Sequence, residues 1–237
     1  RATYMACYDV LNNIALQSTL GSCEAYEPDL TTGMIDKLND DDLSIFDRGF
    51  AAYPFMAYLI NSNKKFVIRC PKSSFGVIQE MFNDDEPNSK IVTINVPYKH
   101  KIKMSKLKLP TEIKLRLVRV ILSSGEVEVL ATSLYDSSKF KSDDFKHLYF
   151  LRWGVETYFS KIKGRLNLEN FSGKTVESTL QDFWSTVFIS NLETIMTEDA
   201  ERELNKTDEK KLKINKAVSF NAIKNLALDI FYHKPNF

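Results

Sequence analysis

Short apolar runs alternate with helical stripes along the first 70 residues of this chain, and that alternation confines it to an α/β architecture. Residues 3–8 (TYMACY) read as a strand ending at Asp9, Asn12-Asn13 as a turn, and residues 14–20 as a second strand with Ile14, Leu16, Ser18 and Leu20 on one face. Residues 28–38 read as a short helix, and residues 43–46 as a buried strand closed by the turn Asp47-Arg48-Gly49. Ala52, Met56, Leu59 and Ile60 share a helical face, and residues 65–69 (KFVIR) form a further strand. The order strand-strand-helix-strand-helix-strand implies a mixed sheet flanked by helices.

The texture changes after residue 70. A polar loop at 83–88 precedes a strand over 91–96, and a lysine-rich stretch follows. Runs at 113–122 and 127–134 flank Ser123-Ser124-Gly125-Glu126, which reads as a hairpin. Residues 71–138 are therefore expected to form a β-rich insertion. Helical stretches follow at 143–165, 175–199 and 215–232. In the second of these Val176, Leu180, Phe183, Val187 and Ile195 make a core-facing stripe. The expected plan is a core split over 1–70 and 139–200, the insertion between them, and a C-terminal helical segment over 201–237.

Several classes fall away. A chain with 43% hydrophobic and 12% aromatic residues is not disordered. The longest apolar run, residues 50–60, contains Pro54 and falls short of the roughly 18 residues a membrane helix needs. Cys7, Cys23 and Cys70 are scattered, which fits a reducing compartment. His100, His147 and His233 lie far apart, and none has a cysteine at zinc-finger spacing. Ser172-Gly173-Lys174-Thr175 resembles the tail of a phosphate-binding loop, but Leu168 stands where that motif needs glycine, so a helix start is the better reading. The net charge of +1 leaves nucleic-acid binding to be judged from charge distribution. The chain opens at Arg1 within a strand, so a fragment lacking an N-terminal DNA-binding domain is expected.

Asp9 and Asp47 both stand at the C-terminal ends of apolar strands, where α/β sheets face a ligand crevice. Two carboxylates brought together there repel unless a divalent cation lies between them, and Mg²⁺ takes such oxygen ligands. Tyr149, Arg152, Glu156 and Lys163 are spaced so that one helix would carry all four within an arc of about 60°. A solvated Arg152–Glu156 pair accounts for two of them but not for Tyr149 and Lys163.

The spacing Tyr-x2-Arg-x3-Glu-x6-Lys resembles the Y-R-E-K signature of bacterial DDE-class insertion-sequence transposases of the insertion-sequence-four family. LSIFDRGF is similar to the second-aspartate motif of that family, ACYDVLNN to its first, and FVIRCP to the strand that follows. The resemblance implies a ribonuclease-H-like (retroviral-integrase-like) fold. Asp9 would be the first catalytic acid, Asp47 the second, after a fourth strand, and Glu156 the third, all three holding two Mg²⁺ (or Mn²⁺) ions. It implies that Tyr149, Arg152 and Lys163 contact DNA phosphates, and that a β-strand insertion precedes the helix of Glu156. The implied activity is hydrolytic nicking at transposon ends and strand transfer to target DNA. The implied partners are double-stranded DNA and, on DNA, a second copy of the chain; off DNA the fragment alone is compatible with a monomer. No membrane is implied, and the expected place is the cytoplasm, at the nucleoid. A ribonuclease-H-like nuclease without strand transfer and an inactive DNA-binding remnant stand as alternatives.

The stretch from Tyr98 to Lys108 carries Lys99, Lys101, Lys103, Lys106 and Lys108 with His100 and no acid, and Arg116 and Arg119 follow. It reads either as an exposed edge strand guarded by lysines or as a phosphate-tracking surface led by Lys99, Lys101 and Lys103. One branch of the resembled family stacks an insertion tryptophan on a flipped base. Here Trp153 and Trp184 lie outside the insertion, leaving Tyr98 or Tyr135 for that role.

Overall fold

A computed structural model describes residues 2–74, 76–83, 85–205 and 213–232, without the side chains of 224 and 226–232. Residue 84 of the polar loop, and 206–212 and 233–237 of the C-terminal segment, including His233, lie outside the described residues. The chain divides into two compact units: residues 1–5 with 19–153, and residues 6–18 with 154–237.

The first unit is built on a five-stranded mixed sheet. Its strands are β3 (Leu43–Phe46), β4 (Lys65–Cys70), β5 (Ser89–Asn95), β6 (Glu112–Ile121) and β7 (Val127–Thr132), in the order β3-β4-β7-β6-β5. β3 and β4 are parallel, joined by the crossover helix α2 (Tyr53–Asn61); the other pairs are antiparallel. The segment expected as an insertion thus extends the sheet begun by β3 and β4, through the β4–β7 pair. The expected hairpin is present, with Gly125 at φ 83°, a conformation that favours glycine.

Strand alternation covers both sheet faces. Phe66, Ile68, Leu115, Leu117, Val129 and Ala131 enter one core, together with Met56 and Leu59 of α2. Val67, Val118, Val120 and Leu130 enter the other, beneath Phe145 and Tyr149 of α5 (Asp144–Phe150). Pro54 sits in the first turn of α2, where its missing N–H costs nothing, and the helix stops where Asn63 turns to φ 52°. Around these lie α1 (Glu27–Ile35), α3 (Gly76–Glu80) and α4 (Lys101–Leu107).

Arg116 is 1% exposed, so it belongs to no phosphate-tracking surface. Its guanidinium donates to Ser89 Oγ, Ser142 Oγ and the carbonyls of Leu134 and Phe140, and lies over the Phe145 ring. Arg119 is buried as well. The two side chains point to opposite faces of β6, and both faces are covered, which the sequence spacing alone does not reveal.

The hairpin of β1 (Ala2–Asp9) and β2 (Ile14–Ser22) forms a separate two-stranded sheet. Its tip belongs to the second unit, with α6 (Trp153–Gly164), α7 (Val176–Leu204) and α8 (Lys216–Tyr232). Tyr8 stacks on Tyr158 of α6 at 4.6 Å between ring centroids. A Cβ on Gly154 would come within 3.1 Å of Val10 Cγ1, so glycine lets the start of α6 approach the strand end. Ala15 of β2 is buried, with its N–H and carbonyl both bonded to the Asn191 side chain of α7, whereas Leu16 faces outward.

The expected helix start at Thr175 is present: its hydroxyl accepts from the Ser178 N–H as the N-cap of α7. The core-facing stripe needs correction. Phe183 and Val187 are buried, but Val176 and Ile195 are 70% and 56% exposed. The buried line instead continues through Ser190, Glu193, Thr194 and Thr197. Glu193 is fully buried; its carboxylate accepts from Ser219 Oγ at 2.6 Å and pairs with Lys216 at 3.1 Å and Lys161 at 3.5 Å. Paired polar groups occupy places that hydrophobic periodicity assigns to apolar ones.

Candidate active site

Asp47 follows β3, the third strand of the chain rather than a fourth, because only the β1–β2 hairpin precedes α1. The register pairing Phe46 with Ile68 carries Asp47 on to the level of Arg69. Its Oδ1 accepts from the Arg48 N–H at 2.6 Å and the Tyr149 hydroxyl at 3.5 Å, and pairs with an Arg69 amino group at 3.0 Å. Burial would raise this carboxyl, but the Arg48 N–H and the charges of Arg69 and Arg152 outweigh it and hold it below the ordinary aspartate range. A carboxyl held lower in the folded than in the unfolded chain stabilises the fold at neutral pH, and that contribution is lost as pH falls through the lowered value. Arg69→Gln should raise the Asp47 carboxyl toward the ordinary range, as read by carbon-13 NMR of the side chain; an unchanged titration would leave the Arg48 N–H as the dominant cause.

Arg69 lies between two carboxylates. Its second amino group donates to Glu128 Oε1 at 2.7 Å. Arg69 is opposite Leu130 in the β4–β7 ladder, so Glu128 is its diagonal neighbour on the same face, within reach of a long side chain. The Tyr149 ring centroid is 6.0 Å from the Arg69 guanidinium and equally far from that of Arg152. Burial pushes the Tyr149 phenol well above its usual range, so it keeps its proton and remains a donor.

Residues 143–165 are not one helix. α5 ends at Phe150, Leu151 and Arg152 close a tight turn through N–H bonds to Leu148 and Tyr149, and α6 begins at Trp153. Tyr149 and Arg152 therefore do not share a helix face with Glu156 and Lys163. The close approach of Gly154 to Val10 fixes the path of the chain just after the break.

In the second unit Asp9 accepts from the Leu11 and Asn12 N–H groups through Oδ1 and from the Asn12 side chain through Oδ2. Burial would raise this carboxyl, yet the Asn12 and Leu11 hydrogen bonds hold it below the ordinary range. Tyr8 and Val10 flank Asp9 and touch Tyr158 and Gly154, which bracket Glu156. The strand end bearing Asp9 thus packs on the first turn of the helix bearing Glu156. Lys163 is exposed in the last turn of α6 and pairs loosely with exposed Glu169 at 3.4 Å.

The lysine-rich stretch is a 3₁₀ turn (Tyr98–His100) running into α4, not an edge strand. Met104 anchors it in the core and the lysines point outward. Lys99 and Lys101 are exposed, with Lys101 over the Tyr98 ring, while Lys103 pairs with Asp29 at 3.6 Å. Tyr98 is 89% exposed, whereas the Tyr135 hydroxyl donates to the Lys114 carbonyl.

The family profile described as the transposase DDE domain matches residues 5–192, a span that includes Asp9, Asp47, Arg69, Tyr149 and Glu156. The chain belongs to this family. The fold agrees: a cryo-electron-microscopy structure of piggyBac transposase, in a synaptic complex with hairpin DNA, superposes with a TM-score of 0.57 at 11% identity. The match covers 100% of this chain and 48% of that one, so this transposase domain spans about half the length of its structural neighbour. No curated protein matches it in sequence. The domain is ribonuclease-H-like and of the kind that carries catalysis in DNA transposases. Among its described residues, no helix is long and apolar enough to cross a membrane.

Enzymes of the DDE class generally use divalent metal ions. Asp47 fits such a ligand. It is ionised and partly exposed, and its Oδ2 receives no donor from the described residues while Oδ1 is held by Arg48, Arg69 and Tyr149. Asp9 is ionised and oriented by its turn, with lone pairs remaining on Oδ2. Glu156 is partly buried at the positive end of α6. Within each unit, the described residues form no cluster of three or more His, Cys, Asp or Glu side chains able to hold a metal. Sequence reading missed Arg69 and Glu128, although two charges on opposing, otherwise buried strands are a signal in themselves.

Proposed function

We propose that this domain nicks DNA at transposon ends by hydrolysis and joins the freed 3′-hydroxyl to target DNA, with Asp9, Asp47 and Glu156 as the carboxylates for two Mg²⁺ (or Mn²⁺) ions. The observation carrying this reading is the Asp47 constellation: an ionised carboxylate, one oxygen held by fixed donors and the other open, inside a transposase DDE domain. When bound, the ions supply Lewis-acid stabilisation and activation of water or the 3′-hydroxyl. Arg48 and Arg69 hold the Asp47 rotamer. Tyr149, as a protonated phenol, and Arg152 hydrogen-bond to phosphate oxygens, and Lys163 releases Glu169 to add a point charge. These residues with Glu156 would constitute the Y-R-E-K set. In this reading residues 1–70 and 139–200 carry the three acids, and 71–138, which complete the sheet, present Lys99, Lys101 and Lys103 to the DNA backbone. A second copy of the chain would hold the other transposon end.

A labelled transposon end incubated with the chain and Mg²⁺ tests this. Nicked and strand-transferred products are expected; hydrolysis without joining would mark a nuclease, and binding without cleavage an inactive remnant. The double variant Lys99→Ala/Lys101→Ala should weaken DNA binding and reduce the slope of log affinity against log salt by about two. An unchanged slope would remove both lysines from the DNA contact.

A further inference from the structure

Glu128 has no role in the reading above, yet its placement is specific. It is a largely buried carboxylate, 12% exposed at the side chain, and it pairs with Arg69 at 2.7 Å. Arg69 in turn reaches Asp47 at 3.0 Å. The three side chains form a relay, carboxylate–guanidinium–carboxylate, across the C-terminal ends of β3 and β4 and the start of β7, and the face of Tyr149 closes it from α5. We infer that Glu128 is a positioning residue for Asp47: acting through Arg69, it fixes the Asp47 rotamer and offsets the guanidinium charge, so that Asp47 Oδ2 can take a divalent cation.

A guanidinium in contact with a metal-binding carboxylate does two opposing things. It orients the carboxylate, which favours binding, and it places a positive charge beside the incoming cation, which opposes binding. Glu128 strengthens the first effect and cancels much of the second. It locks the planar guanidinium at one end so that the other meets Asp47 Oδ1 alone, and its negative charge makes the Arg69–Glu128 pair neutral as seen from Asp47. Outer groups that orient ligating carboxylates typically affect metal affinity by about 10- to 100-fold.

The inference rests on Asp47 being a metal ligand, and the test separates the two. Mn²⁺ binding to the 237-residue chain is followed by electron paramagnetic resonance of free Mn²⁺, alongside the thermal melt and DNA cleavage across a Mn²⁺ titration. Glu128→Gln should bind Mn²⁺ about 10- to 100-fold more weakly. Its cleavage rate should return to within a few-fold of native at saturating Mn²⁺, because Glu128 does not touch the reacting atoms. In an Arg69→Gln background the same change should alter Mn²⁺ binding by less than about twofold, since the route through Arg69 is already cut. Should Glu128→Gln fold poorly, Glu128→Asp, which keeps the charge but retracts it from Arg69, should show the same weakening in smaller measure. Native Mn²⁺ affinity in folded Glu128→Gln, or full additivity with Arg69→Gln, would overturn the inference while leaving Asp47 in place. Native Mn²⁺ affinity in Asp47→Asn would overturn both.

Discussion

Asp47→Asn should abolish DNA cleavage, by about 1,000-fold or more, in a chain that still folds. A metal held at this position would supply several kcal/mol of charge stabilisation, and each 1.36 kcal/mol is about tenfold in rate. The asparagine carbonyl can still accept from the Arg48 N–H and the Tyr149 hydroxyl that hold Oδ1 now, so the turn after β3 keeps its bonds. What is lost is the negative charge and the anionic Oδ2. Circular dichroism should therefore change little and the melting temperature should fall only modestly, by the lost Asp47–Arg69 pair, while the cleavage rate of a labelled transposon end collapses. Asp9→Asn and Glu156→Gln should behave alike, Asp9→Asn because a carbonyl there can still accept from the Leu11 and Asn12 N–H groups. Turnover within tenfold of native in any of the three would remove that residue from the metal site.

Glu193→Ala should have the largest effect on stability. Glu193 is fully buried, bonded to Ser219 and paired with Lys161 and Lys216, so it joins α6, α7 and α8 at one point. Truncation leaves two ammonium groups facing each other, with only Glu201, 3.9 Å from Lys216, as a remaining counter-charge. Removing one partner of a buried ion pair costs about 3–5 kcal/mol. Side-chain exposures of 19% for Lys161 and 32% for Lys216 allow partial escape to water, which points to the lower part of that range. For a chain of this length the melting temperature should fall by roughly 6–15 °C. Glu193→Gln keeps the volume and the bond from Ser219 and should cost less. A melt of Glu193→Ala within about 1 kcal/mol of native would mean that the network adds specificity rather than stability.

Local signals were legible without coordinates. The apolar run before Asp47, the Ser-Ser-Gly-Glu hairpin, the helix start at Thr175 and the Asn12-Asn13 turn all depend on residues a few positions apart, and all appear in the structure. Periodicity succeeded where both faces of a strand are covered by apolar groups and failed on α7. There it counted Val176 and Ile195, which are exposed, and passed over Glu193 and Thr197, which are buried with polar partners from distant segments. It read one helix over 143–165 because nothing local announces the turn at Leu151 and Arg152 except a glycine at position 154.

Local patterns were enough for the family, most of the element order and the candidate acids, because strand ends, turns and caps are decided within a few residues. The burial of Arg116, the helix beneath the lysines and the hold of Arg69 and Glu128 on Asp47 emerge only from the fold. Those outcomes turn on which strand lies beside which and which face is covered, and groups far apart along the chain settle both.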